Sequence, residues 1–172
     1  LVTDVLDLAR LEAGPALRVG AVDAMAVIAE TIADVETLAT DKGLTLMTDL
    51  PSRLPQVRGD AALLTQVMEN LLSNAIKYTS TGGQVTVCAQ PQAEVLEFKV
   101  IDTGRGIPEQ ALPHLFERFY RVPGSEDEAE GTGLGLNIVQ SIVEEHGGEI
   151  GVESQEGQGT TFTFTVPIAQ KA

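Results

Sequence analysis

The order of segments predicts an α+β protein, a two-layer sandwich in which one mostly antiparallel sheet carries helices on one face. Three observations lead there. Long stretches place apolar residues at helical spacing, and helices are interspersed along the chain. Strand-like runs gather in its second half. At 172 residues and 43% hydrophobic, the chain fits one domain with a real core. It has no Trp and few aromatics, so that core should be aliphatic.

Residues 1–13 read as a helix, with Leu1, Val5, Leu8 and Leu11 at helical spacing and Gly14-Pro15 as its stop. The chain starts mid-pattern without Met and reads as a piece of something longer. Residues 17–22 suit a short strand. Asp23 is an N-cap for a helix to about Asp41, with Lys42-Gly43 as the exit. Residues 44–50 read as a strand and 51–55 as a turn. Asp60 caps a long helix to about Thr79, whose apolar face is Leu64, Val67, Met68, Leu71, Leu72, Ala75 and Ile76. After a turn at 81–83, strands at 84–90 and 95–101 form a hairpin through Pro91. Residues 102–130 are mostly loop, with a short helix near 112–118. A glycine-led helix runs to about His146, where Gly147-Gly148 ends it. Strands at 149–154 and 160–166 flank a turn at 157–159.

The formal net charge is −14, which argues against nucleic acid or an anionic membrane as partner. An acidic protein that binds a polyphosphate must gather its cations locally or recruit a metal. Cys88 is the only cysteine and reads as a strand thiol, so no internal disulfide forms. No apolar run reaches the ~20 residues of a membrane helix, and no stretch reads as a signal peptide.

Gly131-Thr132-Gly133-Leu134-Gly135-Leu136 runs into a helix start. Such a turn can bind an anion through close backbone approach and unpaired N–H groups. It lacks the Lys-Ser/Thr of a P-loop and the spacing of a dinucleotide fingerprint. On helix 60–79, Asn70 and Asn74 lie at i, i+4, with Lys77 three further on. A solvated face accounts for them; so does an oxygen ligand for a hard cation beside a phosphate-binding lysine. Asp102-Thr103-Gly104-Arg105-Gly106-Ile107 follows a strand. It is either a turn or an acceptor carboxylate suited to an exocyclic amine such as adenine's. Phe116, Phe119 and Tyr120 cluster near Arg118 and Arg121, which could reach a phosphate. The acidic stretch 122–130 reads as a mobile, lid-like loop. His114 and His146 read as structural, with His146 placed where a helix C-terminus favours a cation.

Together and in order, these segments resemble the catalytic ATP-binding domain of sensor histidine kinases. Its ATP site is the Bergerat fold, shared with DNA gyrase, heat-shock chaperones and mismatch-repair ATPases. Residues 69–78 resemble that family's N box, 102–107 its G1 box, 115–121 its F box, 131–136 its G2 box and 157–160 its closing glycine motif. The match covers about residues 15–168. The segment ending Asp7-Leu8-Ala9-Arg10-Leu11-Glu12-Ala13-Gly14 resembles the tail of the dimerisation and phosphoacceptor domain. The implied division is 1–14 and 15–172.

The resemblance implies roles. Asn74 would coordinate Mg²⁺ with Asn70 beside it. Lys77 and Tyr78 would contact phosphate and nucleotide, and Asp102 would accept from the adenine amine. Gly104, Gly106 and Ile107 would shape that pocket, with Phe119 in contact with the nucleotide. Arg121 would approach the γ-phosphate, so Asn70, Lys77 and Arg121 form the implied catalytic set. Gly131, Thr132, Gly133, Leu134, Gly135 and Leu136 would hinge the lid and offer N–H groups to phosphate. Thr160 would lie near the adenine end. The implied activity is Mg-ATP binding and transfer of the γ-phosphate to a histidine on the dimerisation domain, with a response regulator downstream.

A homodimeric parent is implied, with a monomeric fragment as the expectation. So is a cytoplasmic location, membrane anchoring of the parent being left open. Neither His114 nor His146 matches the phosphoacceptor, so the fragment should bind ATP without phosphorylating itself. Gln140 stands where the family often has Lys, and nothing in the sequence explains the change.

The alternatives are an ATP-hydrolysing relative and a degenerate nucleotide sensor. Hydrolysing relatives carry a catalytic Glu where Asn70 stands. Glu69 is offset by one residue, about 100° around the helix, and is badly placed to activate water. The intact Asn74, Asp102 and glycine set argues against degeneracy.

Overall fold

The computed structural model describes residues 17–123 and 133–170. The helix expected at 1–13, the boundary at Gly14 and most of the acidic stretch lie outside them.

Aspartates start two of the helices. The Asp23 carboxylate accepts from the N–H groups of Met25 (3.0 Å) and Ala26 (3.2 Å), and helix α1 spans Ala24–Asp41. Asp60 accepts likewise from Ala62 (3.0 Å) and Leu63 (3.5 Å) at the head of α2, Ala61–Tyr78. Each cap satisfies donors that have no acceptor within the helix. Every residue of the expected apolar stripe on α2 is buried. Helix α3, Gly135–Glu145, begins without a side-chain cap.

The strands are β1 (Gly20–Val22), β2 (Thr45–Asp49), β3 (Val57–Gly59), β4 (Gln84–Gln92), β5 (Val95–Asp102), β6 (Ile150–Gln155) and β7 (Gly159–Pro167). The large sheet has the order β2-β4-β5-β7-β6. Its β2–β4 pair is parallel and its other pairs are antiparallel. β1 and β3 form a separate antiparallel pair. The three helices cover one face, and their apolar sides merge with the sheet's inner side chains in one core.

Cross-strand neighbours share a face, so the register lays the inner side chains out in rungs. One rung is Ala89–Phe98–Phe164–Ile150, with Phe98 and Phe164 stacked at 4.6 Å between ring centroids. The next is Val87–Val100–Phe162–Val152. The last is Val85–Asp102–Thr160–Ser154. The inner face thus turns from apolar to polar at one end of β5, β7 and β6, and there the core opens.

Three details depart from the sequence expectation. β3 was not anticipated, because three residues after a proline-punctuated turn are too few to display a period of two. β4 runs through Pro91 to Gln92, and the turn falls at Ala93, whose φ is 49°. Pairing with β2 ends at Cys88, so beyond it β4 is an edge, where a missing N–H is tolerated. The short helix is a 3-10 helix at Glu109–His114, started by Pro108, rather than one at 112–118.

His146 also differs. Its Nδ1 donates to Ile142 O (2.7 Å), and its Nε2 accepts from the Asp60 N–H (3.0 Å). One ring nitrogen donates and the other accepts, so this is a neutral imidazole rather than a cation at a helix end. A Cβ on Gly59 would meet its ring at 2.6 Å, which explains the glycine there.

Candidate functional site

A cleft of about 320 Å³ opens where the polar rung meets the exposed side of α2. Asn70, Ser73, Asn74, Lys77 and Tyr78 form the helical wall, and Asp102, Thr160 and Phe162 the sheet floor. Arg105, Gly106 and Ile107 close one end. Leu115, Tyr120, Arg121, Val122, Gly133, Gly135 and Leu136 close the other.

The wall follows from helical spacing. The apolar stripe of α2 is sunk in the core, so the residues between its members face out. Asn70 Nδ2 donates to Gln66 O at 3.0 Å. That bond fixes which way the amide points and leaves Oδ1 as its outward atom. A Cβ on Gly135 would stand 3.1 Å from that oxygen, so Gly135 brings α3 against Asn70. Lys42 holds the far end of α2, its Nζ donating to Ile76 O and Lys77 O at 2.7 Å each. The ammonium thereby meets carbonyls that the helix leaves unpaired.

The loop after β5 is sewn down on both sides. Arg105 N–H donates to Tyr78 O (3.3 Å), and Gly157 N–H to Arg105 O (2.6 Å). Gly106 has φ 70°, and a Cβ there would collide with Gln155 O. The Arg105 guanidinium lies 5.0 Å from the centre of the Tyr78 ring and Lys77 Nζ 5.4 Å, within cation–π range. Ile107 N–H donates to Ser154 Oγ at 2.8 Å.

Asp102 is 7% exposed. Burial pushes its carboxyl above the usual carboxylate range, while hydrogen bonds from the backbone N–H groups of Gly104 and Thr160 pull it back. The Gly104 bond is 2.8 Å long. Burial also raises Glu69, helped by Asp34 and Glu30 on α1. Glu69 therefore faces α1, and the cleft wall is made by Asn70 one residue on. On the sheet's outer face Cys88 is raised by burial and by Asp49, against Lys99.

At the other end, Phe119 N–H donates to Gly133 O at 3.0 Å. Both residues are left-handed, with φ 63° and 72°. A Cβ on Gly133 would lie 2.8 Å from the Phe119 carbonyl carbon. The α3 side chain Asn137 donates to Phe116 O at 3.0 Å, and Phe116 packs edge-on to Phe162 at 6.5 Å.

The cleft brings together Asn70, Asn74, Lys77, Tyr78, Asp102, Gly106, Ile107, Arg121, Gly133, Gly135, Leu136 and Thr160. Three expected residues stand elsewhere. Phe119 is 66% exposed and turned from the cleft, because its left-handed backbone directs the side chain outward. Leu134 is buried in the core below α3. Gly104 lies behind Asp102, where a Cβ would meet Tyr78 O at 2.5 Å, and acts through the backbone. Gly131 and Thr132 fall outside the described residues. Arg105, Lys42 and Ser154 were given no role from the sequence, and Tyr120 entered only as a member of the aromatic cluster. Of the first three, Arg105 alone gave a signal, as a cation beside the Asp102 motif in an acidic chain.

The model of the histidine kinase-, DNA gyrase B-, and HSP90-like ATPase family matches residues 59–170. The chain belongs to that family, as a catalytic domain of the sensor histidine kinase type. It is 42% identical over 149 residues to the adaptive-response sensory kinase SasA of Parasynechococcus marenigrum, covering 86% of this chain and 39% of that one. With histidine protein kinase DivJ of Caulobacter vibrioides it shares 38% over 169 residues, 98% of this chain and 28% of the relative. The chain thus spans well under half the length of these relatives.

Full-length ShkA, solved in complex with AMPPNP, superposes with a TM-score of 0.87 at 34% identity, over 99% of this chain and 36% of that one. The catalytic domain of histidine kinase ThkA gives 0.78 at 26%, over 89% and 99%.

Proposed function

We propose that this cleft binds Mg-ATP and presents its γ-phosphate to a histidine on a separate dimerisation domain, as the catalytic domain of a two-component sensor kinase. The observation that carries the reading is convergence. A buried carboxylate, a pair of amide side chains, three cations and an uncapped helix start share one cleft. Lys77, Arg105 and Arg121 are three of the eleven Lys and Arg residues in a chain of net charge −14. Such a local concentration suits a polyphosphate.

In this reading Asp102 accepts from the exocyclic amine of adenine at the floor. Gly106 and Ile107 line the base, and Tyr78 stands beside the nucleotide. Lys77 and Arg121 meet phosphate oxygens, and the first N–H groups of α3 at Gly135 and Leu136 add further donors. Asn74, with Asn70 one turn away, offers neutral amide oxygens, which fit a hard divalent cation. Among the described residues no group of three His, Cys, Asp or Glu could hold a metal, so a cation in this cleft would rest on amide and phosphate oxygens. Mg²⁺ held there would neutralise charge between phosphate oxygens. The protein's share of transfer is to position and orient; Lys77 and Arg121 stabilise charge spread over the phosphoryl oxygens.

Transfer is favoured over hydrolysis because Glu69 faces Asp34 and Glu30, and Asn70 in its place cannot take a proton from water. The domain division at residue 14, a response regulator downstream and a cytoplasmic setting belong to the same reading. No described helix is long and apolar enough to cross a membrane.

Calorimetry with Mg-ATP tests it. Asp102→Ala and Asn74→Ala should each weaken binding by about 10- to 100-fold, the worth of a hydrogen bond to a charged group. Unchanged affinity in both variants sinks the site. Radiolabelled ATP should pass phosphate to a supplied histidine-bearing dimerisation domain. Fast hydrolysis without that domain, lost in Glu69→Gln, would support the hydrolytic alternative instead.

A further inference from the structure

The last rung of the sheet ends in a residue with no assigned role. Ser154 is the partner of Thr160 across β6–β7, as Asp102 is across β5–β7. Its hydroxyl has three neighbours. Ile107 N–H donates to it at 2.8 Å, Gly159 O lies 2.8 Å away, and Thr160 Oγ1 is also at 2.8 Å.

A serine hydroxyl has one proton and two lone pairs. The Gly159 carbonyl can only accept, so it takes the proton. The Ile107 N–H can only donate, so it takes one lone pair. The contact with Thr160 then has one direction left: Thr160 donates its proton to Ser154.

The consequence lies inside the cleft. With its proton committed sideways, Thr160 turns only lone pairs towards the base. Asp102 beside it is an acceptor as well when ionised. The floor therefore presents two acceptors and no side-chain donor from this rung. We infer that Ser154 is a positioning residue that sets Thr160 as an acceptor and so tunes the cleft towards purines carrying an exocyclic amine. This inference rests on the nucleotide-binding reading above.

Such a floor takes an amine N–H, directly or through a water whose hydrogens point inward. It repels a base that puts a carbonyl oxygen where adenine has its amine. Hypoxanthine is such a base. The same hydroxyl ties the Ile107 loop to the β6–β7 hairpin, so a purely structural role for Ser154 would also be felt in the cleft. The two roles differ in what they do to selectivity.

The test is calorimetric titration of the chain with Mg-ATP and with Mg-inosine triphosphate, in wild type, Ser154→Ala and Ser154→Thr, with melting temperatures alongside. Wild type should prefer ATP. In Ser154→Ala the Thr160 hydroxyl is released to donate, so ATP should weaken by about five- to tenfold, one neutral hydrogen bond's worth. Inosine triphosphate should hold or gain, and the preference should narrow. Ser154→Thr keeps the hydroxyl and should restore it. Should Ser154→Ala not fold, Ser154→Cys, with its weak donor and acceptor, serves the same comparison.

Equal weakening of both nucleotides, or no change in either, overturns the inference while leaving the site intact. A wild type that binds neither nucleotide overturns the site reading and this inference with it.

Discussion

Asp102 is held under two opposed demands. It occupies the last inner-facing position of β5, where burial favours the protonated acid. A base amine needs the carboxylate. With the folded pKa raised, this group's contribution to stability is complete below its unfolded pKa and is lost as pH rises through the folded value. Acidification from neutrality should therefore reduce ATP affinity while pH is still above the ordinary carboxylate range. Over that same window Asp102 adds to stability instead of subtracting. Titrations over a pH series, paired with thermal melts, check both signs; an affinity flat down to the ordinary range would refute the assignment. Gly135 allows a cleaner separation. It starts α3 without positive φ, and an added Cβ meets the Asn70 side chain, with Oδ1 at 3.1 Å and Cγ at 3.9 Å. Gly135→Ala should hold or gain up to about 1 kcal/mol in urea denaturation, the helix propensity difference. Crowding of the Asn70 amide should at the same time weaken Mg-ATP several-fold.

Among elements, α2 shows how a site is held from outside it. The helix brings Lys77 and Tyr78 to the cleft in its last turn, where its carbonyls lack partners. Lys42, at the end of α1, supplies them. Lys42→Met should cost about 1–2 kcal/mol in denaturant unfolding and loosen nucleotide binding, although Lys42 is not part of the cleft lining. Intact binding with lost stability would limit Lys42 to the fold. The sequence revealed the helices more readily than this tie. Asp23 and Asp60 precede apolar stripes at fixed offsets, and such local patterns can be read. Lys42 reads merely as a polar exit, because its partners lie 34 and 35 residues away. Asn70, Asn74 and Lys77 were legible for the same local reason, all lying on one side of one helix. The rung that joins Asp102, Thr160 and Ser154 spans three strands, and its register is set by pairing that no single segment encodes. Phe119 was misplaced because its direction depends on a left-handed backbone, which nothing in a phenylalanine announces.

At the scale of the molecule, an acidic protein has gathered cations at one opening of its core. The core ends there because the sheet's inner face changes character in a single rung, from Val87–Val100–Phe162–Val152 to Val85–Asp102–Thr160–Ser154. One face of the sheet thus serves both packing and recognition. Mixing the chain with a dimerisation domain that carries its histidine should give phosphohistidine that accumulates with time, detected as acid-labile, base-stable label. The chain alone should give none, and label on the chain itself would contradict the assignment of the acceptor to another domain. The pairing of Phe119 with Gly133 has a separate consequence. It closes a loop whose first residues, Tyr120, Arg121 and Val122, are themselves part of the cleft wall. Lengthening a closed loop costs little, about 0.6 kcal/mol per doubling. Variants with residues inserted beyond Val122 and before Gly133 should accordingly lose little stability in denaturant unfolding, which makes this a point to graft a reporter or a new binding loop.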